Sequence, residues 1–329
     1  MAVPLSILDL AIIGKGETAG DSLQGSVALA RRAEKLGYRR VWYAEHHNNS
    51  AIASSATSVL IAHIAAQTST IRLGAGGIML PNHSPLVIAE QFGTLETLHP
   101  GRIDLGLGRA PGTDQNTMRA MRHDGSESDR FPQDVLELQG YVSGHTRIPG
   151  VEATPGKGTN VPLYILGSSL FGATLAAALG LPYSFASHFA PNALQSAVAV
   201  YRREFQPSEQ LDRPYVIAGV NAIVAESDED AQAQFRVSRR QRVARLLGPH
   251  RHYTDEEADA ILESPQGQQL AQMMRYSAVG TPPTVRSYLD EFALLAEADE
   301  LIVAHLASSV DARLRSVDLL ADVSVPVPA

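Results

Sequence analysis

Titratable side chains end one of the apolar runs of the sequence, VWYAEHHNNS at Val41–Ser50. Glu45, His46 and His47 stand there in a row. An acid beside two imidazoles at a strand end can form a metal site or a general acid–base site, or can simply belong to a solvated loop. Because successive strand residues point to opposite faces, His46 and His47 cannot both reach the same side of a sheet.

A second group of residues has the chemistry of an anion site. Arg109 is the only permanent cation in the stretches AEHH, GAGGIMLPNHSP, GLGRAPGTD, LGSS and SHFAPN, which end the second to sixth apolar runs. Ser168 and Ser169 come just before an apolar helical stretch. Hydroxyl and free backbone N–H groups at a helix N-terminus, faced by a guanidinium, suit a phosphate dianion. The alternative is that the serines only cap their helix and that Arg109 pairs with Asp114.

Glycines crowd the ends of two apolar runs, with Gly74, Gly76 and Gly77 in the third and Gly106 and Gly108 in the fourth. Glycine weakens a strand interior and often marks a place where a ligand approaches the backbone. Two neighbouring strands with this feature suggest a flat ligand lying across their ends. Simple bending of the strands is the alternative, and the residues alone leave both open.

The histidines at these strand ends lack the spacing of a metal site. His46 and His47 are adjacent rather than one residue apart, and His188 is a single imidazole in the stretch SHF. The chain has no cysteine, which excludes disulfides, thiolate nucleophiles and cysteine-based metal sites. We therefore expect no metal site.

The elements that must position these residues alternate along the whole chain of 329 residues. Short apolar runs are followed by helical patterns, and eight strand–helix units predict parallel strands with right-handed crossovers. Eight such units close into a (β/α)8 TIM barrel. A doubly wound sheet is the rival, but its glycine-rich phosphate loop is missing after the first run. The predicted strands are Ile7–Ile13, Arg40–Ala44, Ile71–Leu80, Ile103–Leu107, Leu163–Leu166, Tyr183–Ala186, Val216–Val224 and Glu300–His305.

Two connections are unusually long, the one after the fourth strand and the one after the seventh. Both are expected at the C-terminal face of the barrel, where barrel enzymes have their sites. The second forms an insertion of about residues 228–283 that we interpret as a lid, and its polar part at residues 248–269 is expected to be partly disordered. We predict a single domain over residues 1–329.

Composition excludes several classes of partner. The net charge is −8 and the pI about 5.8, without a run of Lys or Arg, which argues against binding to nucleic acid or to an anionic membrane. The N-terminal apolar stretch has no basic region before it, so it reads as a first strand rather than a signal peptide. We expect a cytoplasmic protein.

Three stretches together resemble the bacterial luciferase-like flavin monooxygenases, and in particular their single-chain, non-luminous oxidoreductase branch. They are VWYAEHH, GAGGIMLPNHSPLVIAEQFGTLETLHPGRIDLGLGRAPGTD and PLYILGSSLFGATLAAALGLPYSFASHF. The resemblance runs from about Leu5 to at least His188, and the order of elements continues to the C-terminus. It implies a (β/α)8 barrel that binds FMN at its C-terminal mouth.

The resemblance also implies roles for individual residues. His46 matches the family's active-site histidine, with His188 as the next catalytic candidate, whereas Glu45 and His47 would fix the loop. Arg109 matches the arginine on the flavin phosphate, and the peptide Gly76–Gly77 matches a cis peptide bond against the flavin ring. The implied cofactor-binding residues are Gly76, Gly77, Gly108, Arg109, Ser168, Ser169 and Gly172.

Two departures argue against light emission, since Gly108 and Ser168 stand where luciferase has a reactive cysteine and a glutamate. The function that the resemblance implies is a monooxygenase that takes reduced FMN from a separate reductase. Through a flavin C4a-peroxide it would oxidise a small aldehyde- or ketone-like substrate with O2. The alternatives are an F420-dependent hydride-transfer oxidoreductase and a flavin-binding protein without catalysis.

The family resemblance further predicts a homodimer. The interface would use the small and apolar side chains of the second and third helices. Those side chains are Ala62, Ile64, Ala65, Ala66, Ile88 and Phe92.

Overall fold

The computed structural model describes residues 3–110, 112–247 and 253–322, except for the side chain of Arg245. The strands are β1 (Leu5–Asp9), β2 (Arg40–Tyr43), β3 (Arg72–Met79), β4 (Ile103–Gly108), β5 (Leu163–Gly167), β6 (Tyr183–Phe185), β7 (Val216–Val224), β8 (Ser277–Gly280) and β9 (Glu300–His305). The α-helices are α1 (Ala19–Lys35), α2 (Thr57–Ala65), α3 (Pro85–Leu98), α4 (Gln115–Ala120), α5 (Phe131–Ser143), α6 (Leu170–Leu179), α7 (Leu194–Glu204), α8 (Asp228–Leu247), α9 (Asp255–Glu263), α10 (Pro265–Met273), α11 (Pro282–Leu295) and α12 (Val310–Ala321).

Eight parallel strands close into a barrel, which confirms the predicted fold. Strands β1 to β6 pair in sequence, β6 pairs with β7, β7 pairs with β9, and β9 returns to β1. All eight predicted strands are present, with ends shifted by a few residues. Their carboxyl ends meet at one mouth of the barrel, so the segments that follow them share one site.

One strand of the structure was not predicted from the sequence. β8 lies inside the predicted insertion and pairs in parallel with the upper half of β7, from Asn221 opposite Ser277 to Val224 opposite Gly280. β6 occupies the same edge of β7 lower down, at residues 216–218. Because β6 has only three residues, β8 continues that edge up to the mouth.

The remainder of the insertion is mainly helical. α9 and α10 fill residues 255–263 and 265–273, so the expected disorder is wrong for this part, while residues 248–252 lie outside the described residues. Arg240 on α8 binds two carboxylates of α9, Asp255 at 2.5 Å and Asp259 at 2.7 Å. Within the described part of the chain, no helix has the length and apolarity needed to cross a membrane.

Apolar side chains pack on both faces of the barrel wall. The outer layer between strands and helices includes Ile64 and Phe92, which are fully buried within the single chain. Ala65 and Ile88 are buried as well, so four of the six side chains that we expected at a dimer interface belong to the core. The barrel interior is filled by Leu8, Trp42, Ala44, Tyr164, Ile217, Ile302 and Ala304.

Candidate active site

The two candidate catalytic histidines approach each other across the barrel mouth. His46 follows β2 and His188 follows β6, which are on opposite sides of the ring. The two imidazoles are close enough for His46 to lower the pKa of His188. Gly219 on β7 makes room for this arrangement, because a side chain there would overlap the His188 ring.

His188 is held as a neutral imidazole. Burial, the positive charge of Arg242 and the neighbouring His46 together lower its pKa to about 3, with burial as the largest cause. Although part of the residue is exposed, its Nδ1 atom is buried and has no hydrogen-bond partner in the described residues. A neutral ring with an unused nitrogen at the mouth can exchange a proton or a hydrogen bond with a ligand.

Asn221 closes the notch between the short strand β6 and strand β8. Its Nδ2 atom donates to the carbonyl of His188 at 2.7 Å and to Oγ of Ser277 at 3.3 Å. The side chain is buried, yet its Oδ1 atom has no hydrogen-bond partner among the residues that the structure describes. The mouth therefore contains a second unused polar atom beside the imidazole.

Glu45 is a buried hub that orders two loops of the mouth. It accepts hydrogen bonds from His47 at 2.8 Å, His83 at 2.9 Å, Asn82 at 3.2 Å and the backbone N–H of Met79 at 3.0 Å. Burial favours a raised pKa, but the hydrogen bonds from both histidines and from Met79 outweigh it and lower the pKa of Glu45 to about 2. The same hydrogen bond raises the pKa of His47 against the opposing effect of burial.

This network confirms that Glu45 and His47 fix the loop. His46 is thereby held between two anchored residues, and its backbone N–H donates to the carbonyl of Ser54 at 3.1 Å. His83 and Asn82 were not singled out in the sequence. The signal that points to them is the buried acid, which needs donors from a neighbouring strand end.

The proposed anion site takes shape at the start of α6. The guanidinium carbon of the exposed Arg109 lies 4.1 Å from the ring centre of Phe171, in the first turn of that helix. Ser169 is at the N-cap position, but its hydroxyl makes no capping hydrogen bond. Asp114, the alternative partner of Arg109, instead caps α4 and accepts from Asn48 at 3.2 Å.

Close packing fixes the N-terminus of α6 in space. A side chain at Gly172 would lie 3.3 Å from the ring of Tyr183 and 3.5 Å from the Cα atom of Gly167. The hydroxyl of Tyr183 donates to the carbonyl of Ser169 at 3.0 Å. The first turn of α6 is therefore anchored on β5 and β6, with its N–H groups directed to the mouth.

The peptide bond between Gly76 and Gly77 is cis, as the family resemblance predicted. The structure gives a packing reason for these glycines, since a Cβ at Gly76 would lie 2.9 Å from atoms of both Leu8 and Trp42. A Cβ at Gly108 would lie 2.9 Å from the sulfur atom of Met79. The glycines thus permit close approach between protein groups, and their contact with a flavin ring stays a prediction.

Arg242 is the residue that the sequence analysis missed. It lies on α8, and its positive charge acts on His188 at the mouth. The signal was present in the spacing of Ala231, Phe235 and Ser238, which continue one helical face to Arg242. In residues 3–110, 112–247 and 253–322, no group of three or more His, Cys, Asp or Glu side chains is placed to hold a metal ion.

Comparisons with known proteins agree with this geometry. The family model described as luciferase-like monooxygenase matches residues 4–296. A protein of Escherichia coli (strain K12) named luciferase-like monooxygenase is 48% identical over 329 residues, which covers 98% of this chain and 97% of the relative. The crystal structure of apo-MsnO8 superposes with a TM-score of 0.89 at 37% identity and covers 99% of this chain and 100% of that one.

A relative with a named substrate matches part of the chain. The N-acetyl-S-alkylcysteine monooxygenase of Bacillus subtilis (strain 168) is 43% identical over 189 residues, covering 56% of this chain and 57% of the relative. The family model and the E. coli relative each cover most of this chain. The chain therefore belongs to the luciferase-like monooxygenase family and is an oxidoreductase of the monooxygenase type.

Proposed function

We propose that this protein uses reduced FMN, supplied by a separate flavin reductase in the cytoplasm, to insert one oxygen atom of O2 into a small organic substrate. The observation that carries the proposal is the pairing of Arg109 with the uncapped start of α6 at the same mouth as His46 and His188. One side of the mouth suits a phosphate monoester, and the centre suits proton transfer.

The residues at the start of α6 fit the phosphate of FMN. The helix is ten residues long, and its first N–H groups have no side-chain cap from Ser169. The hydroxyls of Ser168 and Ser169 and the guanidinium of Arg109 would add donors to those N–H groups. Gly172 lets the helix approach β5 closely enough for its first turn to stand at the mouth. Bound reduced flavin would supply the electrons that activate O2.

The two imidazoles divide the proton chemistry. His188 is neutral across the physiological range, because burial lowers its pKa to about 3. It can accept a hydrogen bond or proton through a nitrogen that the protein leaves unused. His46 is held by the loop that Glu45 anchors, and we assign it the proton exchange with the reacting oxygen. Water is kept away by the walls that β8 and α8 add to the mouth.

The substrate is proposed at the level of its chemistry. An aldehyde or ketone is what we expected from the family resemblance, and the B. subtilis relative adds a thioether as a candidate through its name. All are small neutral groups that accept an oxygen atom.

We also propose that residues 1–329 form one domain whose segment 228–283 covers the mouth. Slower proteolysis of residues 253–273 with FMN bound is the result that supports this.

The proposed cofactor site is tested by titrating the protein with FMN. Arg109→Ala should weaken binding by about 10- to 100-fold, because it removes a charge-assisted contact to a phosphate. Arg203→Ala, which removes an exposed arginine at the end of α7, is the matched control and should leave the affinity unchanged. Tighter binding of F420 than of FMN, or equal FMN affinity in both variants, would reject the proposal.

We propose a homodimer through α2 and α3, with a revised set of contacts. The apolar side chains that these helices expose are Val59, Val87 and Leu98, at 68%, 44% and 64%. Ser58 on α2 donates to Gln91 on α3 at 2.8 Å, which joins the two helices into one surface. Sedimentation should show a dimer that the double substitution Val59→Glu and Val87→Glu converts to a monomer; a monomeric wild-type protein would contradict it.

A further inference from the structure

One face of α8 is applied to the barrel mouth. Ala231 is fully buried, and Phe235 packs into an apolar cluster with Leu306. The hydroxyl of Ser238 donates to the carbonyl of Leu306, the residue that follows β9. Positions 231, 235, 238 and 242 follow one another at intervals of four, three and four, so Arg242 lies on the same face.

Arg242 therefore extends from the face of α8 that packs at the mouth. Its Nε atom is buried, and its charge acts on His188 across the mouth. Arg240, two residues earlier, points away and binds Asp255 and Asp259 on α9. Arg240 thus contributes to holding the insertion together, and Arg242 adds positive charge near His188.

The positive charge at the mouth is separate from the proposed cofactor site. Arg109 follows β4 and lies at the start of α6, whereas Arg242 lies on α8, which follows β7 and contacts Leu306 after β9 through Ser238. Two strands of the ring, β5 and β6, stand between β4 and β7. A cation beside a neutral imidazole raises the positive potential of a partly buried site and favours an anionic group there.

We propose that Arg242 binds a carboxylate of the substrate, which makes the substrate a small organic acid held with its reacting group near His46. This inference rests on the proposed function and adds the charge of the substrate to it. Arginine suits the task because its planar guanidinium matches both oxygens of a carboxylate and stays protonated at every working pH.

The test compares matched pairs of probes by calorimetry, on the protein alone and with FMN bound. The probes are small thioether carboxylates and their carboxamides, N-acetyl-S-methylcysteine and its amide among them. The wild-type protein should bind the carboxylate about 10- to 100-fold more tightly than the amide. Arg242→Gln should abolish this preference, and Arg242→Lys should restore part of it. Arg236→Gln, which removes an exposed arginine of the same helix, should leave it unchanged.

Two further readouts separate this inference from its alternatives. The preference should be equal at about pH 6.5 and about pH 8.5, because a histidine in place of arginine as the cation would lose it over that range. In imidazole NMR spectra, Arg242→Gln should raise the pKa of His188. Absence of carboxylate binding, an equal affinity for both members of each pair, or an unchanged preference in Arg242→Gln would overturn the inference. Binding with the predicted preference but without turnover of reduced FMN would instead reject the proposed function alone.

Discussion

At the N-terminal end of the barrel, Arg40 lies between Asp104 and Glu300, with donor–acceptor distances of 2.8 Å and 3.1 Å. At the C-terminal end, the buried Nδ1 atom of His188 and Oδ1 atom of Asn221 have no hydrogen-bond partners within the described residues. Both ends contain buried polar groups, but at the N-terminal end every carboxylate oxygen of Asp104 and Glu300 accepts a hydrogen bond. We interpret the N-terminal end as the part of the barrel that stabilises the fold and the C-terminal end as the part that binds a ligand.

The N-terminal end of the barrel, which we call the closed end, contains a dense network of charged side chains. Arg40 also donates to the hydroxyl of Tyr164 at 2.7 Å, and Asp104 receives a second arginine, Arg72, at 2.5 Å. The indole of Trp42 donates to Asp104 at 3.0 Å. Each carboxylate oxygen thus has a donor, which is the condition under which buried charge is tolerated.

The polar groups at the C-terminal mouth, which we call the open end, are bonded differently. Its charged residue Glu45 is fully paired, but it serves to order loops around His46. His188 is neutral, and its Nδ1 atom and the Oδ1 atom of Asn221 have no hydrogen-bond partner among the described residues. An unsatisfied buried polar atom costs roughly 1–3 kcal/mol, so its persistence at the mouth points to a partner that the isolated chain lacks.

The largest effect is expected from breaking the closed end. Arg40→Met leaves Asp104 and Glu300 without their shared cation and should lower the free energy of unfolding by about 3–5 kcal/mol. Arg109→Met, at the exposed rim of the open end, should change it by about 0.5 kcal/mol or less. Urea denaturation of both variants measures the difference. Equal stability of the two would show that the closed end is not the structural one.

At the open end, the corresponding effect should appear in catalysis. His46→Ala should lower turnover by about 100-fold, with FMN affinity within a few-fold of wild type, because the imidazole serves proton transfer. His47→Ala is the matched control, since it removes a neighbouring imidazole that binds Glu45. Steady-state kinetics should show a loss below about 10-fold for this control. Wild-type turnover in His46→Ala would move the catalytic role to His188.

Low pH should lower the free energy of unfolding, because two histidines are buried in their neutral form. Burial lowers the pKa of both His188 and His305 to about 3, whereas the unfolded chain binds a proton at each near pH 6.5. The contribution of these two histidines to stability should therefore be constant above pH 6.5, and the free energy of unfolding should fall by up to about 1.4 kcal/mol per pH unit for each of them as pH decreases toward 3.

His47 contributes with the opposite sign. Its pKa is raised, so its stabilisation is complete below the unfolded pKa of 6.5 and is lost only as pH increases through its folded pKa. Between about pH 6.5 and about pH 5, its contribution is therefore nearly constant. Urea denaturation over that interval should show a smaller loss for His305→Asn than for wild type, and an equal loss would contradict the prediction.

The same contrast explains what could be predicted from the sequence. The strand Arg40–Tyr43 was visible because Val41, Trp42 and Tyr43 are apolar or aromatic, and Glu45 and His46 were visible because they come just after it. β8 was missed because SAVG is short and small, and only its pairing with β7 makes it a strand. Arg242 was missed because its position depends on how α8 packs, which is a tertiary property.

The smallest effect concerns Phe171, which we propose orients Arg109 toward the phosphate. A cation–π contact of an exposed pair contributes about 0.5–1 kcal/mol, so Phe171→Leu should weaken FMN binding by about two- to five-fold. Leucine keeps most of the apolar volume but lacks the ring face under the guanidinium, and α6 should keep its place through Gly172 and Tyr183.

The control for Phe171→Leu is a change at the closed end of the barrel. Leu294→Ala, at a side chain that is 80% exposed near the end of α11, should leave FMN affinity unaltered. The effect of Phe171→Leu should also vanish in the background of Arg109→Ala, because the ring acts only through that guanidinium. Additive losses in the double variant would mean that Phe171 contacts the cofactor directly, and the open end would then bind FMN through its apolar rim as well as through charge.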